Sequence, residues 1–414
     1  MTALPAPGAG SPSVPGNTSL PPWGKWLALC LLLALGLAGC HPPPPAAERA
    51  LAPPIQDDAD IVSLRQALAA TRHYWQGQEA GREITACGQR FSVRDYLAAL
   101  DRLDARLASP SAPGLATAVD QDFALCPQPA GPRPDGLLVT GYYQPRFPAR
   151  WRPQPPFVHP LYRPPPDLVP ALVFDSQGEH RAVGRLEDGR LVPYFSRAEI
   201  ENRHLLKGQE LCYLASPVEV FLLQVQGSGL LTFEDGERRQ VLFAGTNGRP
   251  YRSIGRLLAD EGRIPLAEVT MPRLLRYLKE HVDDQRRILQ YNQRYVFFRL
   301  APANPAGGGP LGSMGAPLTP GRSVALDPVC FPLGGLYLLT SERPVAGADG
   351  QIVWRPLHRL VLNQDTGAAI QGPARLDLFW GSGDYPELAA GLMKQRGQLY
   401  QLVPRPPKGL SGTK

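Results

Sequence analysis

The chain has 414 residues, with 43 Lys and Arg against 37 Asp and Glu, and a formal net charge of +6. Its apolar content of 43% predicts a packed core. No run of basic residues is interleaved with aromatic residues, so we expect no nucleic-acid partner. The 47 prolines and 42 glycines favour a β-rich fold with many loops. The mild positive charge suits a cell-wall polymer or lipid headgroups, but it also serves solubility and does not discriminate.

An apolar run from Trp26 to Gly39 leads into Cys40. The run is shorter than the roughly 20 residues of a transmembrane helix. Lys25 supplies a positive flank, so the pattern predicts a signal peptide over residues 1–39. The string Leu37-Ala38-Gly39-Cys40 resembles a bacterial lipobox, which implies cleavage before Cys40 and lipidation of its thiol. Residues 1–24 are long and uncharged for such a leader, so a start at Val14 is an alternative.

Residues 40–55 form a Pro-rich tether, which is expected to be extended and semi-rigid. The tether would hold a globular body away from a membrane surface. His41, rather than Asp, follows the predicted lipidated cysteine, and by analogy with enterobacterial sorting this favours the outer membrane. We therefore expect a lipid-anchored protein on the periplasmic face of the outer membrane, with outer-membrane lipid as its partner at Cys40.

Four cysteines follow the tether, namely Cys87, Cys126, Cys212 and Cys330, and none forms a CxxC pair. Disulfides are allowed in an oxidising periplasm. Cys87 and Cys126 lie in one N-terminal segment and are the best candidate pair. The seven histidines are scattered without a metal-ligand spacing, so neither a metal site nor a cofactor is predicted.

The first predicted elements are helices. Residues 60–75 carry apolar side chains at helical spacing. Ser92 followed by Asp95 resembles a capping box, which opens a second helix. Residues 137–145 read as a strand that runs into a turn, and the Pro-rich residues 145–170 look like a domain crossing.

Further elements follow in the second half of the chain. Residues 218–226 are strand-like, and the turn at 234–236 between apolar runs predicts a hairpin. Ser253 and Thr270 each begin a short helix. Residues 295–300 read as a strand.

Three aspartates lie near the C-terminus. Asp365 and Asp377 are framed by strand-forming apolar residues and glycines, and Asp327 lies upstream, next to Pro328. Carboxylates in such surroundings suit a proton-transferring site on a β-scaffold. Taken alone, each is equally an ordinary turn aspartate.

Several strings occur in a fixed order: Thr140-Gly141-Tyr142-Tyr143, Phe195-Ser196-Arg197, Val225-Gln226-Gly227-Ser228-Gly229, Ala244-Gly245-Thr246-Asn247-Gly248, Tyr295-Val296-Phe297-Phe298 and the three aspartates. Each string alone is weak. The ordered set behind a lipobox resembles the membrane-bound lytic murein transglycosylase A family, with its C-terminal three-aspartate (3D) domain. The resemblance covers nearly all of the chain after Ile55.

The resemblance implies a mainly β fold with helices. A double-psi β-barrel domain, which carries the catalytic 3D region, would be built from residues 56–146 and 269–404. A smaller β-domain, residues 147–268, would be inserted into it, and the substrate groove would lie between the two. Residues 405–414 are predicted to be a disordered tail.

The resemblance also implies a reaction. A lytic exotransglycosylase, a carbon–oxygen lyase, cleaves the β-1,4 bond between N-acetylmuramic acid and N-acetylglucosamine in peptidoglycan. The C6 hydroxyl attacks C1 of its own sugar and leaves a 1,6-anhydro end. One carboxyl suffices because the attacking hydroxyl is already held near the reacting carbon. Peptidoglycan glycan strands are the implied partner, and a penicillin-binding protein or another cell-wall complex is a candidate.

By this match, Asp377 is the general acid and then the base, and its apolar neighbours favour the neutral form. Asp365 has a supporting role, orienting the sugar or stabilising positive charge as the bond breaks. Asp327 is grouped with the substrate-binding residues, although its place beside Pro328 favours an architectural role. The rival readings are an inverting endoglycosidase that uses Asp365 as its base, and a peptidoglycan-binding lipoprotein without activity.

Tyr142 and Tyr143 are candidates to present flat faces to sugar rings, and Gln226 and Ser228 to donate hydrogen bonds. The alternative is that they are core aromatics and a strand-end turn. Two positions depart from the family pattern. Ala368 stands where a second glycine is usual and would be strained if the backbone needs φ > 0. Gln144 stands where many relatives have Glu.

Overall fold

The computed structural model describes residues 53–109, 114–128, 136–175, 178–303, 309–347 and 349–405. The predicted signal peptide, residues 40–52 of the predicted tether and residues 406–414 of the predicted tail lie outside the described residues. Arg405, the first residue of that tail, is held in place: its Nε donates to the carbonyls of Asp120 and Phe123 at 2.8 and 2.9 Å. Within the described ranges, no helix is long and apolar enough to cross a membrane.

The helices are α1 (Ile61–Gln76), α2 (Val93–Ala108), α3 (Leu115–Asp122), α4 (Arg197–Asn202), α5 (Pro217–Gln226), α6 (Ile254–Asp260), α7 (Met271–Glu280), α8 (Gln285–Tyr291) and α9 (Asp384–Leu392). The strands are β1 (Glu83–Ala86), β2 (Gln89–Ser92), β3 (Phe123–Pro127), β4 (Leu137–Tyr142), β5 (Arg146–Pro148), β6 (His159–Tyr162), β7 (Val169–Asp175), β8 (Gly178–Glu187), β9 (Arg190–Pro193), β10 (Glu210–Leu214), β11 (Ser228–Thr232), β12 (Arg238–Thr246), β13 (Val296–Pro302), β14 (Ser323–Ala325), β15 (Leu336–Ala346), β16 (Ile352–Asp365), β17 (Arg375–Phe379) and β18 (Lys394–Pro404).

Six strands close into a barrel in the order β15-β16-β14-β17-β4-β18, and β18 pairs back with β15. The pairs β14–β16 and β17–β4 are parallel, and the other four are antiparallel. Closure satisfies the backbone groups that an open sheet would leave at its edges. The barrel and its surrounding helices confirm the predicted fold class.

Side chains on the barrel strands alternate between two cores. On β15, Tyr337 and Leu339 belong to the cluster that fills the barrel, whereas Leu336 and Leu338 pack outward against α1 and α2. β16 repeats this alternation. Because both faces of these strands are buried, they carry nearly continuous apolar runs rather than an alternating pattern.

Local sequence features place the N-terminal helices as predicted. Asp60 accepts a hydrogen bond from the backbone N–H of Ser63 at 2.7 Å at the start of α1. Ser92 and Asp95 form both halves of a capping box at the start of α2. The predicted disulfide between Cys87 and Cys126 is present, and it ties the β1–β2 turn to β3.

The segment after the tether is fixed to the barrel by ion pairs, of which one is buried. Arg322 donates to Asp57 at 2.5 Å, with both side chains nearly inaccessible. Arg359 makes two hydrogen bonds to the carboxylate of Asp58, at 2.8 and 2.9 Å. Removal of one partner from a buried pair such as Arg322–Asp57 strongly destabilises a fold. Arg322 precedes β14, so the N-terminal segment supports a strand that reaches the site described below.

A second, four-stranded sheet has the order β13-β12-β11-β5. The predicted hairpin is confirmed: β11 and β12 are antiparallel, and Gly236 in their turn has φ 82°. Most of this sheet falls in the predicted insert of residues 147–268, and β13 joins it from the segment that the resemblance gives to the barrel domain. The domain boundaries stay a prediction.

One predicted strand is wrong. Residues 218–226 form helix α5, which begins with Ser216 capping Val218 and ends at Gly227 with φ 75°. Consecutive residues from Val220 to Gln224 are all buried. A helix that is covered on nearly all sides loses its 3.6-residue period, so its sequence cannot be distinguished from a buried strand.

Candidate active site

Four neighbouring strands of the barrel carry one row of side chains. Ala325 on β14 pairs with Asp365 on one side and with Asp377 on the other, and Asp377 pairs with Thr140 on β4. Paired residues project from the same face of a sheet, and strands lie about 4.8 Å apart. The fold therefore brings the two aspartates onto one face, about 9–10 Å apart at their Cα atoms, with small Ala325 between them.

Asp377 lies in the wall of the site with one hydroxyl donor. Thr140 donates its Oγ1 proton to Asp377 Oδ1 at 2.9 Å. Burial raises the pKa of Asp377 to about 6, the Thr140 hydrogen bond and the cation of Arg375 oppose the rise, and the charge of Asp365 adds to it. A carboxyl with this pKa is protonated in mildly acidic solution and ionises readily, so it can both give and take a proton.

Asp365 is held more firmly. The Tyr142 hydroxyl donates to Asp365 Oδ2 at 2.8 Å, while the N–H and hydroxyl of Ser313 donate to Oδ1 at 3.1 and 3.0 Å. Burial raises the pKa of Asp365, and these hydrogen bonds oppose the rise because they stabilise the ionised form. Both oxygens thus have donors, an arrangement that suits a fixed negative charge.

Tyr142, at the end of β4, contacts the carboxylate of Asp365 at the end of β16. Burial, together with the charges of Asp365 and Asp377, raises the pKa of Tyr142 well above its usual value, so its hydroxyl stays a hydrogen-bond donor. The ring lies 5.2 Å from that of Phe379. Tyr142 also lines the space in front of the aspartates, and its role as a sugar contact stays a prediction.

Two cavities of about 170 and 620 Å³ open in front of this face. They share lining residues, among them Tyr142, Gln226, Phe243, Arg294 and Asp365, and together form one cleft. Asp377 lines the smaller cavity and Ser228 the larger. The barrel forms one wall, and α5 with the four-stranded sheet forms the other.

Not every predicted binding residue lies in the cleft. Tyr143 is 3% exposed and lines neither cavity; its N–H donates to Gln226 Oε1 at 3.1 Å. The carboxylate of Asp327 accepts from the backbone N–H of Val329 and of Gly372, at 2.9 and 2.6 Å, and also lies outside both cavities. This geometry favours the architectural role for Asp327 and places Tyr143 in the core.

The two departures from the family pattern are accommodated. Ala368 lines both cavities but is not among the residues with positive φ, so its side chain causes no backbone strain. Gln144 is 4% exposed and outside both cavities, and its side-chain Nε2 donates to the backbone carbonyl of Gly229 at 3.4 Å.

Sequence reasoning missed Phe243, Arg294 and Ser313. Phe243 is 53% exposed on the wall opposite the aspartates, so its ring is accessible from the cleft. An exposed aromatic on a strand leaves no sequence pattern by itself. Within the described ranges, His, Cys, Asp and Glu side chains form no group of three or more that could hold a metal ion.

Comparisons with known proteins identify the family. The family model for the MltA specific insert domain matches residues 138–299, and that for the 3D domain matches residues 322–403. Membrane-bound lytic murein transglycosylase A of Escherichia coli K12 is 32% identical over 275 residues, which cover 66% of this chain and 67% of the relative. The chain belongs to this family. The Vibrio cholerae member is 30% identical over 277 residues, with the same coverage.

Solved structures of the family share the fold. The membrane-bound lytic murein transglycosylase of Agrobacterium tumefaciens superimposes with a TM-score of 0.69 at 28% identity, over 84% of this chain and 93% of that one. Escherichia coli MltA with bound chitohexaose gives a TM-score of 0.61 at 26% identity, over 83% and 90% of the two chains.

Proposed function

We propose that this chain is a lytic transglycosylase that cleaves the MurNAc-β-1,4-GlcNAc bond of peptidoglycan and leaves 1,6-anhydro-MurNAc ends. The observation that carries the proposal is the pairing of two unlike carboxylates in one cleft. Asp377 has a pKa of about 6 and, among the described residues, a single side-chain hydrogen bond, whereas three donors of the same part of the chain hold Asp365. Environments that differ in this way separate an acid/base from a fixed charge.

In the first step, protonated Asp377 gives its proton to the glycosidic oxygen, and the bond from that oxygen to C1 of the muramic residue breaks. Positive charge develops at C1. Ionised Asp365 lies on the same face of the barrel and stabilises that charge without having to move, because Tyr142 and Ser313 already fix its position.

In the second step, Asp377 is ionised and accepts the proton of the C6 hydroxyl while that oxygen bonds to C1. The hydroxyl belongs to the same sugar, so its effective concentration is high and no water is consumed. The Thr140 hydrogen bond at 2.9 Å stabilises the carboxylate between the two steps. Asp377 ends protonated and ready for the next cycle.

The rival hydrolytic reaction needs a second carboxylate to activate water. Asp365 is the candidate, but its oxygens already accept from Tyr142 and Ser313, which favours the charge-stabilising role. The two reactions differ by one water in their products, so product mass separates them.

We further propose that a glycan strand lies along the cleft. The Escherichia coli relative is described with bound chitohexaose, a β-1,4 chain of N-acetylglucosamine. In this chain, Tyr142 and Phe243 offer aromatic surface, and Gln226 and Ser228 offer polar groups on the lining. Tyr143 and Asp327 support the site from outside the cavities.

The location of the enzyme is a proposal of the same kind. Relatives are named membrane-bound. We infer that Cys40 carries the lipid and anchors the chain to the periplasmic face of the outer membrane, with a cell-wall complex as a candidate partner. Intact-mass analysis of the mature protein should show a diacylglyceryl group on Cys40, and a variant in which a cleavable secretory leader replaces residues 1–40 should move to the soluble fraction. Continued membrane retention of that variant would contradict the anchor.

The reaction is tested by mixing the detergent-solubilised chain with purified peptidoglycan and measuring the masses of the soluble products by mass spectrometry. We expect muropeptides one water lighter than hydrolysis products. Asp377→Asn should lower kcat/KM by about 100-fold or more, whereas Asp235→Asn, on an exposed turn, should leave it unchanged. Reducing-end products would establish the hydrolase instead. Full activity in a folded Asp377→Asn variant would refute the assignment of the acid.

A further inference from the structure

Arg294 enters the cleft from the wall opposite the aspartates without an acidic partner. Its side chain lines both cavities. Within the described residues, no carboxylate forms an ion pair with it, and its Nη1 donates to the carbonyl of Arg249 at 3.4 Å, a weak hydrogen bond. Burial lowers the pKa of Arg294 from its usual value. A partly buried guanidinium without a counterion is costly for the fold, so its retention needs a reason beyond packing.

The backbone that carries Arg294 is rigidly held. Arg197, which is 2% exposed, donates to the carbonyls of Asn292 and Arg294 at 3.0 and 2.8 Å. Asn247 donates to the carbonyl of Gln293 at 2.8 Å and accepts from the N–H of Tyr295 at 2.8 Å. Two buried polar side chains thus fix the turn from 292 to 295 and with it the direction in which Arg294 leaves the backbone. This is the second layer of support that a binding residue requires.

Among the described residues, Arg294 forms no ion pair with either aspartate, and the cation that lowers the pKa of Asp377 is Arg375. Arg299 lies five residues further on, exposed on β13, and lines the larger cavity. One wall of the cleft therefore presents two guanidinium groups, and the facing wall presents Asp365 and Asp377.

We propose that Arg294 is a specificity-determining residue that binds a carboxylate of the glycan substrate. This inference rests on the proposed function, because it assumes a murein strand in the cleft. N-acetylglucosamine is neutral, whereas each muramic residue bears a lactyl ether. The lactyl carboxyl is either free, in a peptide-free strand, or joined to a stem peptide that carries carboxylates of its own. A guanidinium pairs with a carboxylate through two parallel hydrogen bonds in either case.

The inference predicts a selective loss of affinity. Binding is measured in an Asp377→Asn background so that the ligands stay intact. Three probes are compared: chitohexaose, which has no carboxylate; a peptide-free murein strand, with lactyl carboxylates; and a peptide-bearing strand, with stem carboxylates alone. Arg294→Gln should weaken binding of at least one carboxylated strand by about 10-fold or more and leave chitohexaose within about twofold. The strand that is affected identifies the source of the carboxylate.

Matched variants distinguish the loss of a specific contact in the cleft from the loss of positive charge in general. Arg238→Gln removes the same charge from an exposed position on β12, outside both cavities, and should change none of the three affinities. Arg294→Lys keeps the charge and should recover part of the lost affinity. Equal weakening of chitohexaose, or no change with any probe, would overturn the inference. Anhydro products are scored in parallel with the chain that retains Asp377, so failure of the proposed reaction is recognised separately.

Discussion

The hydrogen bond from Thr140 to Asp377 sets the pH range over which the proposed acid works. Thr140→Val removes this 2.9 Å bond and keeps the shape of the side chain. A hydrogen bond to a charged group contributes about 1.5–3 kcal/mol, and one pKa unit corresponds to about 1.4 kcal/mol. The bond stabilises the ionised carboxyl, so its loss should raise the pKa of Asp377 from about 6 by about 1–2 pH units.

The assay is the pH dependence of kcat/KM on soluble peptidoglycan fragments. Bond cleavage needs the protonated carboxyl, so kcat/KM should be high below the pKa of Asp377 and fall as the pH rises through it. Thr140→Val should move that fall to higher pH, and Thr140→Ser, which keeps the hydroxyl, should leave it in place. A fall that stays in place or moves to lower pH in Thr140→Val would refute the assignment of Asp377 as the acid under control of Thr140.

Three further predictions concern the two aspartates and the disulfide. Asp365→Asn removes a charge that raises the pKa of Asp377, so the fall in kcat/KM should move to lower pH, opposite to its movement in Thr140→Val. The maximal rate should also be lower. Movement of the fall to higher pH would contradict this prediction. The pKa of Asp377 is about 6 in the folded chain, against a usual 3.8. The buried carboxylate therefore destabilises the folded state in full above pH 6, and this cost is absent below pH 3.8, where the carboxyl is protonated. Asp377→Asn should therefore raise the free energy of unfolding in urea at pH 8 by up to about 3 kcal/mol and leave it unchanged at pH 3.5. Replacing Cys87 and Cys126 by Ser removes a disulfide that spans 39 residues and should lower the free energy of unfolding by about 3–4 kcal/mol. Cys330→Ser, which alters a free exposed thiol, is the control. A similar loss of stability in the control would contradict the role of the disulfide.

Local features of the structure were accessible from the sequence because they depend on neighbours along the chain. The capping box at Ser92 and the hairpin turn at Gly236 are satisfied within a few residues. The pairing of Cys87 with Cys126 followed from their shared segment. The ordered family strings indicated Asp365 and Asp377, and through them the barrel on which they lie.

The arrangement of the site was decided by tertiary structure. Tyr142 and Tyr143 are adjacent in the sequence, yet successive residues of an extended chain point in opposite directions, so one lines the cleft and the other enters the core. Residues 218–226 form helix α5, and because packing covers this helix on nearly every side, its sequence shows no helical period.

Asp365 and Asp377 illustrate the same division. The sequence shows their residue type and their neighbours along the chain, but it does not show that their carboxyl groups differ in hydrogen bonding and pKa. Asp365 is fixed by Tyr142 and Ser313, which are 223 and 52 residues away in the chain. The sequence by itself determined which residues are present and which family they belong to. The barrel closure determined which of them share a face, because strand register brings distant residues within hydrogen-bond reach and no local pattern encodes it.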